Sequence, residues 1–89
     1  MADEEVKGAH KSWGPNTLNN YTDEDIKLIQ SWEGDVTRMI IAKEVGESGT
    51  PHLQFAITFR SPKRRAALKK LLSRAHWTMT KDIDAAFLY

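Results

Sequence analysis

The order of periodicities in this chain predicts an α+β fold of the ferredoxin-like type (split βαβ, RRM-like), on three observations. Strand-like stretches, β-branched or alternating between apolar and polar, recur at 37–44, 52–60 and 75–80. Helical spacing of apolar residues separates them, in "DEDIKLIQSW" and "RRAALKKLLSR". The turn chemistry of "GESG" joins two of the strands directly, so that pair reads as a hairpin. With a strand ahead of the first helix and a helix at the end, the order is β-α-β-β-α-β-α, an antiparallel sheet with helices on its apolar face.

Each element has a local reason. The first dozen residues, "MADEEVKGAHKS", are small and polar and are expected to form a disordered leader (1–12), with His10 an incidental solvated residue. The domain then occupies 13–89. Trp13 packs over an edge, and "NTLNNYT" reads as an edge-quality strand whose start Pro15 limits and which runs into a turn at Asn20 and Tyr21. Thr22 is the N-cap of an amphipathic helix, with acids in its first turn and Ile26, Ile29 and Trp32 on the core side. "TRMIIAKE" is the second strand. In the third, Leu53, Phe55, Ile57 and Phe59 share one face, and His52, Gln54, Ala56, Thr58 and Arg60 share the other. Ser61 is the expected N-cap of the second helix and Pro62 its first position, with Ala67, Leu68, Leu71 and Leu72 apolar. "AHWTMT" is the fourth strand, with His76, Thr78 and Thr80 opposite Trp77 and Met79, and a last helix starts near Asp82. His76 reads as a satisfied sheet histidine.

Eighty-nine residues, 40% hydrophobic and 28% charged, suit one small globular domain, and no apolar run reaches membrane-spanning length. There is no secretory signal, and the absence of cysteine excludes a disulfide framework and a thiolate metal site, which fits the cytosol or nucleus. The net charge of +1 hides an asymmetry: Arg60, Lys63, Arg64, Arg65, Lys69, Lys70, Arg74 and Lys81 fall in 60–81 with no acid among them. Such a segment suits a phosphate backbone or, equally, a solvated helix face.

The polar residues of "PHLQ" raise the question of chemistry. A hairpin that keeps apolar residues together pairs Ile41 with Phe55 and Met39 with Ile57, and the same register sets Glu44 opposite His52. One imidazole, one amide oxygen (Gln54) and one carboxylate then meet at the hairpin end. This oxygen-rich set favours Mn²⁺ or Mg²⁺ over a closed zinc site. A merely polar sheet face accounts for the same pattern.

Three separated stretches, "TLNN" at 17–20, "PHLQ" at 51–54 and Tyr89, resemble motifs I, II and III of the HUH-type rolling-circle replication initiators (Rep) of circular single-stranded DNA viruses, the circovirus and cyclovirus branch in particular. "GESGTPHLQ" and "ALKKLL...AHW" look like the same proteins. The resemblance implies the HUH endonuclease architecture, with Glu44, His52 and Gln54 holding Mn²⁺ or Mg²⁺ and Tyr89 as the nucleophile. It also implies that Thr17, Asn19 and Asn20 contact DNA. The expected activity is nicking of single-stranded DNA at a hairpin-loop origin through a 5′-phosphotyrosine, and rejoining of ends, in the host nucleus, with no nucleotide cofactor in this domain. Arg60, Lys63, Arg64 and Arg65 are then expected along the DNA backbone, while Lys69 and Lys70 fit a solvated role equally well. Asn16 and Phe55 stand where the family usually has an aromatic residue and a glycine, and the lysine that normally follows motif III is absent, so the domain reads as truncated at its C-terminus. A catalytically impaired single-stranded DNA-binding module on the same sheet is the alternative, and an assembly domain without metal or DNA is a third. Oligomeric state is left open.

Overall fold

The computed structural model describes residues 8–47 and 49–81. The helix expected from Asp82, with Tyr89, and most of the expected leader lie outside these residues. Thr22 starts the first helix as its composition requires: its hydroxyl accepts the Asp25 N–H at 3.2 Å and its own N–H donates to Asp25 at 2.8 Å. This reciprocal cap satisfies two donors that a helix start would otherwise leave unpaired. The elements run β1 (His10–Asn19), α1 (Asp23–Gln30), a 3₁₀ turn (Ser31–Asp35), β2 (Val36–Val45), β3 (Pro51–Lys63) and α2 (Arg65–Leu71).

The sheet has the order β1-β3-β2 and is antiparallel throughout. Residues 76–80 run along the free side of β1 through two antiparallel bridges, Thr17 with His76 and Trp13 with Met79. The resulting spatial order is that of the split βαβ arrangement, and the fold is α+β and ferredoxin-like. The regular fourth strand expected at 75–80 is reduced to these bridges because β1 carries an extra residue between them. From Thr17 to Trp13 is four positions, whereas from His76 to Met79 is three. Pro15, which has no N–H, sits in that bulge, and the buried Asn16 fills the gap: its Oδ1 accepts the Thr78 N–H at 2.9 Å and its Nδ2 donates to the Trp13 carbonyl at 3.1 Å.

Four expectations are corrected. Strand β1 starts at His10, inside the segment read as leader, because its edge pairs with Lys63. It passes straight through Pro15 and lies between β3 and residues 76–80, so it is interior rather than an edge. Ser61 and Pro62 do not begin a helix. They extend β3, and the helix starts at Arg65 with Arg64 as its cap residue. Between the Ser12–Thr58 and His10–Lys63 pairs β3 uses five residues to β1's two, so Pro62 falls where no regular ladder demands its N–H. Ala56, placed on the solvated face, is buried, because Gly14 in the β1 bulge closes over it.

The core lies on the other face of the sheet. Leu53, Phe55, Ile57 and Phe59 from β3 meet Trp13 and Leu18 from β1, Ile29 from α1, Leu68 and Leu72 at α2, and Trp77. Phe55 packs edge-on against Trp77 at 5.3 Å between ring centroids. The β2–β3 register is unbroken from Arg38 to Val45, so phenylalanine at this position does not interrupt the pairing with β2. Trp32 sits in the 3₁₀ turn and tilts against Trp77 at 6.1 Å.

Candidate metal centre and its neighbours

The hairpin register is the one the apolar residues demand: Met39 with Ile57, Ile41 with Phe55 and Glu44 with His52. Its turn is closed by the Gly46 N–H on the Thr50 carbonyl (2.9 Å), with Gly49 at φ +86°, where a side chain would be strained. Side chains directly opposite each other in a ladder point to the same face. Two rows therefore cross the solvated face: Asn19, His52 and Glu44 in one, and His76, Thr17, Gln54 and Ala42 in the next. Thr17 and Asn19 of the "TLNN" stretch thus adjoin Gln54 and His52, a juxtaposition that links two motifs separated by more than thirty positions of chain.

His52 Nε2 stands 3.4 Å from Glu44 Oε1, with the imidazole largely buried and the carboxylate half-exposed. Neighbouring ligands on one divalent ion with bonds of about 2.1 to 2.4 Å lie about 3.0 to 3.4 Å apart, so these two donors already have a spacing that one ion can share. Among the described residues no three His, Cys, Asp or Glu side chains cluster, so a third protein donor has to be neutral. Gln54, two residues from His52 on the same face, is the neutral side chain placed nearest in the register. One carboxylate, one amide and one imidazole fit a hard, octahedral divalent cation that keeps water positions.

Arg60, Lys63, Arg65 and Lys69 are not brought to this row. Arg60 lies eight residues from His52, about 26 Å along β3. Its Nε donates to the Gly34 carbonyl at 3.2 Å, and Lys63 forms an ion pair with Asp35, so both hold the end of β3 against the 3₁₀ turn. Arg65 lies 5.7 Å over the Trp13 ring. Lys69 donates to the Ser73 and Ala75 carbonyls, each at 2.9 Å, and so closes the C-terminal end of α2. His76 is exposed at the far end of the Thr17 row.

Arg74 is the residue that composition grouped with the other cations and that the structure sets apart. Its Nη1 donates to both Asp25 oxygens (3.1 and 3.2 Å), and Nη2 donates to the carbonyls of Asn19 (3.4 Å) and Asn20 (3.1 Å). No local pattern in "SRAH" signals this, because the partners lie about fifty residues away. Burial alone would raise the Asp25 carboxyl; the Thr22 backbone N–H and Arg74 outweigh it and hold it below the ordinary aspartate value. The unfolded chain then binds more protons at low pH, so this contribution is present above about pH 4 and is lost as pH falls through the lower folded value. Asp25→Asn is expected to cost on the order of 1 to 2 kcal/mol at neutral pH. Melting curves of variant and wild type should converge below about pH 4. A gap that stays constant across this range would remove the charged role.

No protein-family model matches the chain. Replication-associated proteins of three circoviruses do. The chain is 46% identical to that of pigeon circovirus over 69 residues, 48% identical to that of canary circovirus over 69 residues, and 49% identical to that of beak and feather disease virus over 70 residues. The matches cover 76 to 78% of this chain and 22 to 24% of those proteins, so the chain spans about a quarter of the length of the curated relatives it matches. Over that segment the chain is similar to the circovirus replication-associated proteins.

Proposed function

We propose that this chain is the metal-dependent DNA-nicking and joining domain of a viral replication-associated protein, acting on a single-stranded hairpin-loop origin in the host nucleus. The observation that carries this reading is the pair of rows in which Asn19 adjoins His52 and Glu44 while Thr17 adjoins Gln54. A strand of DNA laid on this face would meet hydrogen-bonding side chains and the metal ligands together. The naming of the homologues as replication-associated proteins supports a role in viral replication.

In this reading the Tyr89 phenol oxygen attacks the scissile phosphorus. The bond from phosphorus to the 3′ oxygen breaks, the phenol proton is released, and the 3′ oxygen leaves as a hydroxyl after protonation. A 5′-phosphotyrosine remains, and attack on it by a 3′-hydroxyl rejoins the ends without a nucleotide cofactor. Tyrosine has an ordinary pKa near 10 and is a weak nucleophile at neutral pH, so the phosphate has to be held and polarised. Glu44, His52 and Gln54 would hold Mn²⁺ or Mg²⁺, which supplies charge neutralisation at the phosphate oxygens. Thr17, Asn19 and Asn20 orient the unpaired strand. Arg60, Lys63, Arg64 and Arg65 meet the backbone at the other end of the sheet, away from the cleaved bond.

The test is incubation with a labelled single-stranded origin oligonucleotide and Mn²⁺, followed by a denaturing gel. A covalent adduct is expected with wild type, and none with Tyr89→Phe or with chelator. Retained binding with no adduct in wild type would favour the DNA-binding module, and an adduct in Tyr89→Phe would assign the nucleophile elsewhere.

A further inference from the structure

We propose that Arg74 is a positioning residue for single-stranded DNA binding: its guanidinium clamps the Asn19–Asn20 turn beside His52 in the conformation that receives the strand. The inference rests on the reading of Asn19 and Asn20 as DNA contacts. The turn is gripped from two sides. On the sheet side the Asn20 N–H donates to the carbonyl of Pro51, the residue before His52, at 2.9 Å. On the other side Arg74 takes both turn carbonyls with one nitrogen and the Asp25 carboxylate with the other. Asn20 has φ +54°, a left-handed conformation that asparagine tolerates but that persists only where the surroundings fix it.

The clamp needs the planar fork of arginine, since a lysine ammonium is a point charge that does not reach two carbonyls and a carboxylate in one plane. Asp25 is 8% exposed and tied to the N-cap of α1, so it anchors the guanidinium to a rigid element. Without the clamp, the turn carbonyls turn to water and the backbone at Asn19 and Asn20 has to be ordered when DNA binds. That ordering corresponds to about a tenfold loss of affinity. The metal ligands are spared, because Glu44 and His52 face each other across the β2–β3 hairpin, which Arg74 does not touch.

The test measures fluorescence anisotropy of a labelled random-sequence single-stranded DNA, in chelator, across a salt series, for wild type, Arg74→Ala, Arg74→Lys and Asp25→Asn. Both Arg74 variants are expected to bind about tenfold more weakly, with the slope of log affinity against log salt unchanged and the Mn²⁺-induced rise in melting temperature retained. Asp25→Asn keeps the Arg74 cation but removes the carboxylate that anchors it, and is expected to fall between them and wild type. It is also the decisive variant if Arg74→Ala does not fold. Affinity within twofold of wild type, full rescue by lysine, or a slope reduced by about 0.7 (the mark of a lost phosphate contact) would overturn the proposal. If wild type itself binds no DNA, the reading of Asn19 and Asn20 fails. The clamp is then judged separately by hydrogen exchange at the Asn20 amide, where unchanged protection in Arg74→Ala removes it.

Discussion

Mn²⁺ is expected to raise the melting temperature of the wild type, and His52→Ala to abolish that rise while changing the metal-free protein little. The imidazole is the sole nitrogen of the set, and without it Glu44 and Gln54 offer two oxygens, which hold a divalent ion no better than many exposed surface pairs. A ligand present at about a hundred times its dissociation constant stabilises the folded state by about 2.7 kcal/mol. In a domain of this size that is a rise of roughly 10 to 20 °C, ample for a thermal scan. In the metal-free protein His52 and Glu44 are 3.4 Å apart with the carboxylate half-exposed. Such a pair contributes about 1 kcal/mol or less, so the variant should melt near the wild type in chelator. Gln54→Ala should weaken the Mn²⁺ effect without erasing it, because an amide oxygen carries no charge. A Mn²⁺ shift that survives His52→Ala would leave this face as a polar sheet surface and place the ion elsewhere.

The hairpin was the most legible part of the chain, and the reason is physical. Its turn is short and glycine-bounded, its strands are adjacent in sequence, and a one-residue slip would turn Leu53, Phe55 and Ile57 to water, so their burial fixes the register that pairs Glu44 with His52. The first strand was legible only from Asn16 onward. Its earlier residues are polar or interrupted by Pro15, and they are strand because Lys63 and Thr58, more than forty residues away, pair with them. Ser61 and Pro62 carry a helix-start signal that local chemistry alone would honour. Pairing with β1 overrides it, and the helix begins four residues after Ser61. The same limit applies to the site: His52, Gln54 and Glu44 follow from alternation and one turn, whereas the clamp of Arg74 on Asn19, Asn20 and Asp25 depends on three elements meeting.

Gly14→Ala is expected to lower stability by about 2 to 3 kcal/mol, a fall of roughly 10 to 20 °C in melting temperature, through steric overlap rather than lost packing. A Cβ at this position would lie 2.7 Å from the Ala56 Cβ and 2.9 Å from its Cα, distances that real Cβ atoms essentially never show. Neither neighbour can swing away, because one is a methyl fixed to the backbone and the other is the backbone of the central strand. Strands β1 and β3 would have to separate at the bulge, and the strain would reach further than the fold. The Gly14 N–H donates to the Thr78 carbonyl at 2.7 Å, and Asn16 takes the Thr78 N–H, so the bulge also secures residues 76–80. Three residues on, Thr17 faces Gln54. Ala56→Gly in the same chain removes the closer overlap and leaves the clash with the backbone, so the double variant should regain part of the loss and not all of it. Denaturant unfolding of the four proteins measures that coupling. Strictly additive losses would mean that Gly14 is required for something other than the approach of Ala56. A partial rescue that also restores single-stranded DNA binding would tie the bulge in β1 to the placement of Thr17 and Asn19 beside Gln54 and His52.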